Sequence, residues 1–221
     1  MNDIFEIVTM FCELPDGTRA SFRKPYDGGD GFVYGCDATM FVAVPKHTPG
    51  LPEGLQLKKD KAVLATENLV ASPCKFDIRI CDLFELLKKH AASESCQECG
   101  GSGKVTWVHY DRFGDTYETE FECPVCKGTG CADSNPHAVV PGTDRSVDHE
   151  AVFEIVHNRV PIKFRAEKLA VVAIAAQMLG DDMLHVIRFE PKKCAVFELP
   201  RGIYAGVMPM VISSPCERIK A

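Results

Sequence analysis

The chain has 221 residues, 46% of them hydrophobic and 25% charged, which is enough to bury a substantial core in an ordinary globular protein. A formal net charge of −6 argues against a protein that binds nucleic acid through a generally basic surface. It does not exclude a local basic stripe. The odd total of eleven cysteines favours reduced thiols over a disulfide scaffold. The start has no secretory pattern and no apolar run could span a bilayer, so we expect a cytoplasmic protein without a membrane segment.

The N-terminal third is rich in β-branched and aromatic residues that are separated by Pro, Gly and Asp clusters. This pattern predicts strands joined by turns. The expected strands are Phe5 to Leu14, Thr18 to Arg23, Phe32 to Gly35 and Thr39 to Val44.

A strand followed by a helix is expected next. Residues 76–80 alternate apolar and charged side chains, and Asp82 stands where the cap of a following helix would lie. Lys88 and Lys89 close that helix, where its dipole favours cations.

One octapeptide pattern, C-x-x-C-x-G-x-G, occurs twice, at residues 96–103 and 123–130. Two cysteines three positions apart can direct their sulfurs to one ion only if the chain turns sharply, and glycine permits that turn. Four thiolates would then complete a closed, structural zinc site. The alternative interpretations are two unrelated turns or a redox dithiol. The expected zinc ligands are Cys96, Cys99, Cys123 and Cys126.

A β-hairpin is expected between the two cysteine pairs, from strands at 105–110 and 116–122. Aromatic and arginine side chains near its tip suit contact with a protein or with single-stranded nucleic acid. An equally open alternative is that half of them only pack across the hairpin. The candidate contact residues are Trp107, Tyr110, Arg112 and Phe113, with His109 and Tyr117 nearby.

Order is expected to resume at Ala151 after a polar, proline-containing exit segment. A helix from Ala166 to Leu179 is apolar nearly all round, which predicts burial on most sides. The strands expected around it are 152–157, 161–164, 183–190, 194–199 and 203–212.

The order of elements in the last sixty residues resembles the terminal unit of a bacterial DNA polymerase sliding clamp. The helix opens with a Phe-x-x-x-x-Leu pattern at 164–169, and the closing Val207-Met208-Pro209-Met210 is similar to the V-M-P-M strand of those clamps. Asp37 matches a clamp strand that reads A-T-D-G-H-R-L-A, whereas the G-H-R portion does not match.

This resemblance implies an α+β fold of clamp-type antiparallel sheets with two helices and an inserted zinc ribbon hairpin. The implied division places the clamp-like parts at 1–93 and 133–221, with the inserted ribbon at 94–132.

The cysteine-rich segment resembles the zinc-binding module of DnaJ-type chaperones. That module uses four copies of the octapeptide for two zinc ions, whereas this chain has two copies and no J-domain His-Pro-Asp. The resemblance therefore implies the zinc geometry but not the usual recruitment of a chaperone.

Clamp helices offer lysine and arginine to phosphates without reading bases. The candidate phosphate contacts are Lys88, Lys89, Lys163, Arg165 and Lys168. A solvated helix end that complements the helix dipole is the favoured interpretation of Lys88 and Lys89, and the apolar second helix is a poor lining for a DNA channel.

No nucleophile, base and orienting group can be assembled from the sequence, so we expect no enzyme activity and no small-molecule substrate. The resemblance implies a non-enzymatic, sliding-clamp-like zinc protein that acts as an assembly or interaction factor in DNA replication or repair. One alternative is a DnaJ-like zinc-ribbon adaptor that binds peptides or acts like a chaperone. A weaker alternative is a single-stranded nucleic-acid binder. We expect a protein partner or self-association, with DNA as a candidate partner.

Overall fold

The computed structural model describes residues 4–12, 22–58, 75–91, 95–110, 112, 115–128, 130, 137–143, 145–148, 150–210 and 216–220. The helices in this part of the chain are α1 Ile4–Met10, α2 Ile80–Lys89 and α3 Ala166–Met178. The strands are β1 Tyr26–Asp27, β2 Phe32–Cys36, β3 Met40–Pro45, β4 Phe76–Arg79, β5 Lys104–Tyr110, β6 Thr116–Glu122, β7 Val152–His157, β8 Val160–Arg165, β9 Met183–Arg188, β10 Ala195–Leu199, β11 Ile203–Val207 and β12 Glu217–Lys220.

The strands form three separate sheets. A seven-stranded antiparallel sheet has the order β1-β2-β3-β11-β10-β9-β4. A three-stranded sheet has the order β12-β7-β8, in which β12 runs parallel to β7, and β5 pairs only with β6. Antiparallel sheets with helices packed beside them confirm the predicted α+β class.

Helix α3 lies at the centre of the core, as its apolar sequence predicts. Alanine and valine cover most of its surface, and among its residues only Gln177 is exposed. It packs against α2 and against strands β8, β9 and β11. Small side chains all round the helix allow this close approach from several directions at once.

The prediction of a strand from Phe5 to Leu14 is wrong, because residues 4–10 form the helix α1. Its buried side chains are Ile4, Ile7, Val8 and Met10, which share one helical face and join the main core. The helix lies directly on β2, where a Cβ atom added to Gly35 would come 2.0 Å from the carbonyl oxygen of Val8. Packing of this face therefore outweighs the strand preference of the β-branched residues.

Two smaller predictions also differ from the structure. Residues 18–21 of the second predicted strand lie outside the described residues, and residues 22–23 are in no strand. Helix α2 begins at Ile80 with Arg79 as its cap residue, so Asp82 lies in the first turn and is not the cap. There Asp82 accepts a hydrogen bond of 2.9 Å from the Arg79 side chain.

A mostly buried ion pair joins the β2–β3 turn to the start of α3. The ammonium of Lys168 lies 2.8 Å from Oδ2 of Asp37, and the two side chains are 14% and 10% exposed. Oδ1 of Asp37 accepts hydrogen bonds of 2.8 Å from the backbone N–H groups of Thr39 and Met40. Each oxygen of the carboxylate is thus satisfied, as a buried charge requires.

The ion pair decides the ionisation of Asp37. Burial acts to raise the pKa of its carboxyl, but the charge and hydrogen bond of Lys168, together with hydrogen bonds from Thr39 and Met40, outweigh burial and hold that pKa below its usual range. The carboxylate therefore contributes stability above its unfolded pKa, and this contribution is lost as the pH falls through the lower folded pKa.

Replacing Lys168 with methionine leaves Asp37 charged and without its cation. Breaking a buried pair from one side costs about 3–5 kcal/mol, so we expect a loss of that order in the free energy of unfolding at neutral pH. The loss should be smaller near about pH 4, close to the ordinary pKa of an aspartate, because burial without the cation favours protonation of Asp37 in the variant and removes its uncompensated charge. Urea denaturation at both pH values measures this.

The matched control for this prediction is Lys89→Met, at the exposed end of α2. A surface change of this kind should alter the free energy of unfolding by less than about 0.5 kcal/mol. A penalty for Lys168→Met that stays constant with pH would contradict the role given to Asp37.

Candidate functional site

Four cysteine sulfurs converge at the base of the β5–β6 hairpin. Cys96 and Cys99 precede β5 and Cys123 and Cys126 follow β6, so the antiparallel pairing of the strands brings the two pairs together. All four Sγ atoms lie within 4.8 Å of one another, with 3.7 Å between Cys96 and Cys123 and 3.6 Å between Cys99 and Cys126. A tetrahedral ion with metal–sulfur bonds of about 2.3 Å requires sulfurs about 3.8 Å apart, so the donor set is compatible with one metal ion.

Backbone groups support charge on these sulfurs. The N–H of Gly103 donates to Sγ of Cys99 at 3.2 Å, and the N–H of Gly130 donates to Sγ of Cys126 at 3.3 Å. Burial acts to raise the pKa of Cys99, but the donated hydrogen bonds outweigh it and lower that pKa, whereas burial and neighbouring thiols raise the pKa of Cys126. All four thiols could ionise together at this spacing only beside a cation that balances their charge.

The last glycine of each octapeptide fits against the backbone of the other octapeptide. A Cβ atom at Gly103 would lie 2.3 Å from the carbonyl oxygen of Gly128, and one at Gly130 would lie 2.3 Å from that of Gly101. Both glycines also have positive φ, at +72° and +74°. The repeated glycine thus allows two turns to pack closely enough for four sulfurs to meet.

Substitutions at two nearby glycines can distinguish the effect of close backbone packing from the strain of a positive φ. Gly100 and Gly103 both have positive φ, but only a side chain at Gly103 would strike backbone atoms. Gly100→Ala should cost about 1 kcal/mol of strain, while Gly103→Ala should cost more and lower metal affinity at least about tenfold. Competition with a chromogenic chelator measures the affinity, and equal effects of the two variants would contradict the packing role.

Cysteines inside and outside the cluster provide a second test. Cys126→Ser removes one of four thiolates and should abolish stoichiometric metal binding, because serine is a poor ligand at this position. Cys81→Ser changes an exposed thiol on α2 and should leave the metal content unchanged. Elemental analysis of the two purified proteins decides the matter, and full metal content in Cys126→Ser would exclude the four-sulfur site.

The β5–β6 hairpin itself is exposed on both faces. Of the seven residues in each strand, all except Val105 are exposed. The strand register divides the side chains into two sets. The aromatic face carries Val105, Trp107, His109, Tyr117, Thr119 and Phe121. The acidic face carries Lys104, Thr106, Val108, Tyr110, Thr116, Glu118, Glu120 and Glu122.

The structure separates the predicted contact residues. Trp107 lies on the aromatic face, where its ring meets the Phe121 ring edge-on at a centroid distance of 6.0 Å. Tyr110 lies on the opposite, acidic face, Arg112 is exposed in the turn, and Phe113 is outside the described residues. Sequence analysis missed Phe121, although the two-residue period of a strand places it opposite Val105 beside Trp107.

The candidate phosphate contacts do not form a basic track along the described helices. The exposed residues of α2 include Asp82 and Glu85 as well as Lys88 and Lys89, and Lys88 lies 2.7 Å from Glu85. Lys168 is the mostly buried partner of Asp37, so its ammonium is already paired. Lys163 lies half-buried on β8, and Arg165 is the exposed residue that precedes α3.

Asp181 accepts a hydrogen bond of 3.0 Å from the N–H of Met183, which is the local turn role expected for an aspartate between a helix and a strand. None of the helices in the described ranges has the length and apolar character needed to cross a membrane.

No family model matches the chain, and no curated protein matches it. Among solved structures it is similar to a Caulobacter crescentus beta sliding clamp, at 10% identity and a TM-score of 0.46, covering 96% of this chain and 64% of that one. It is also similar to a Helicobacter pylori beta clamp bound to a DNA ligase peptide, at 11% identity and a TM-score of 0.45, covering 95% and 63%.

A DNA polymerase sliding clamp from Pseudomonas aeruginosa has 10% identity and a TM-score of 0.43, with 96% of this chain and 63% of that chain covered. The chain therefore spans less than two thirds of the length of these clamps. The resemblance that the sequence predicts is thus found among solved structures as well, and at this identity it is a likeness of fold alone.

Proposed function

We propose that this chain is a non-enzymatic interaction protein of the sliding-clamp type, in which a zinc ribbon at 94–132 presents a contact hairpin to a partner in DNA replication or repair. The observation that carries this proposal is the contrast between the buried body and the exposed β5–β6 hairpin above four converging thiols. A surface of exposed aromatic side chains is suited to binding a partner.

Zinc is the metal we assign to the cluster. Four cysteine sulfurs at tetrahedral spacing are the ligand set typical of structural zinc, and a closed site leaves no position for water or substrate. Cys96, Cys99, Cys123 and Cys126 would each supply one thiolate, and the bound ion would join the two ends of the hairpin. Zinc has no redox chemistry of its own, which suits a purely structural role.

Of the functions expected for a clamp-like protein, encirclement of DNA by the helices has the least support from the described side chains. Phosphate contacts need cations, and α3 presents none because Lys168 is paired with Asp37. The exposed face of α2 carries acids and bases in equal number, at Asp82, Glu85, Lys88 and Lys89. We therefore propose a role in assembly through protein contacts, with self-association as one form of it.

The second candidate function is a peptide-binding or chaperone-like adaptor. The exposed rings of Trp107, Tyr117 and Phe121 favour it, because such a surface also suits unfolded segments. Single-stranded nucleic acid fits less well, since Glu118, Glu120 and Glu122 on the other face would repel phosphates.

Affinity capture with the full, metal-loaded chain in a lysate of the cells that naturally produce it tests the proposal. We expect proteins of DNA replication or repair to be enriched on the wild type and lost, at least about tenfold, on a Trp107→Ala, Phe121→Ala double variant that keeps its metal. The control is Glu198→Gln, an exposed change on β10. Capture of diverse unfolded polypeptides would instead support the adaptor, and capture unaffected by the double variant would contradict a contact role for the hairpin.

A further inference from the structure

The aromatic face of the hairpin is apolar surface that the rest of the described chain leaves open. Trp107, Tyr117 and Phe121 are 63%, 54% and 53% exposed, although Trp107 and Phe121 already contact each other. Large aromatic rings with this much solvent exposure are more typical of a binding surface than of side chains that only pack within a hairpin.

The acidic face limits what the occupant can be. Glu118, Glu120 and Glu122 follow one another at every second position of β6, so their Cα atoms lie about 7 Å apart and their side chains share one face of the strand. Among the residues that the structure describes, the only ion pair on this face joins Lys104 to Glu120 at 3.3 Å. A row of glutamates attracts cationic side chains and repels phosphates.

A ligand that pairs with the hairpin backbone could contact both faces of the hairpin at once. In the described sheet β6 pairs only with β5, which leaves the other edge of β6 without a strand partner there. An extended segment that pairs with an open edge places alternate side chains on opposite faces of the sheet. Its side chains would then meet glutamates on one face and aromatic rings on the other.

We infer that the hairpin binds an extended segment of a protein partner in which basic and apolar residues alternate, and that this segment adds to the edge of β6. Its lysine or arginine side chains lie over Glu118, Glu120 and Glu122, and its apolar side chains lie against Tyr117 and Phe121. The inference rests on the proposed role as an interaction protein and names the chemistry of its ligand.

A peptide titration tests this inference, because Trp107 is the only tryptophan in the chain and its fluorescence reports on the aromatic face. The probe is a capped peptide of alternating lysine and valine, with the seven-residue length of β6. It should bind the full-length, metal-loaded protein at least about tenfold more tightly than a peptide of the same composition with lysines and valines in two blocks. Added salt should weaken binding.

Two comparisons make the titration decisive. Glu118→Lys should weaken binding of the alternating peptide at least about fivefold, whereas Glu198→Lys, at an exposed site on β10, should not. Equal binding of the alternating and block peptides, or equal binding of an alternating glutamate and valine peptide, would overturn the inference. Tighter binding of a single-stranded oligonucleotide at the same salt would overturn it as well.

The outcome is separable from that of the proposed function. If the peptides fail but host partners are still lost when Trp107 and Phe121 are changed, the hairpin is a contact surface for a ligand of another chemistry. If host partners are retained by that double variant, the contact role itself fails. Metal analysis of each variant keeps a loss of binding distinct from a loss of the ribbon.

Discussion

The convergence of four sulfurs at the base of β5 and β6 is the constraint on which the exposed part of this protein depends. An isolated two-stranded hairpin is marginally stable in water, and this one buries almost none of its own side chains. We propose that a metal ion bound by the four cysteines cross-links its two ends and supplies the order that burial does not. The glycines at 103 and 130 are part of the same constraint, because the two turns must touch for the sulfurs to meet.

The body of the protein is stabilised by different means. Helix α3 is enclosed by α2 and by strands from two sheets, and its small apolar residues give close packing on most sides. The pair of Asp37 and Lys168 then fixes the start of α3 to the β2–β3 turn. Because the hairpin and the body use separate interactions, surface changes in the hairpin can alter binding while the body keeps its fold.

The sequence predicts features whose signals are local and misses those set by distant contacts. The cysteine cluster is foreseen because each octapeptide defines its own turn. Helix α1 is missed because its β-branched residues favour a strand, whereas packing on Gly35 selects a helix. The partner of Lys168 is invisible for the same reason, since Asp37 lies 131 positions away and only the folded chain brings the two charges together.

X-ray absorption spectroscopy at the zinc edge tests the central claim most directly. Applied to the full-length protein purified without added metal, it should find one zinc per chain surrounded by four sulfur atoms at about 2.3 Å. Nitrogen or oxygen in the first coordination shell, or much less than one zinc per chain, would contradict a four-thiolate centre and with it the account of how the hairpin is held.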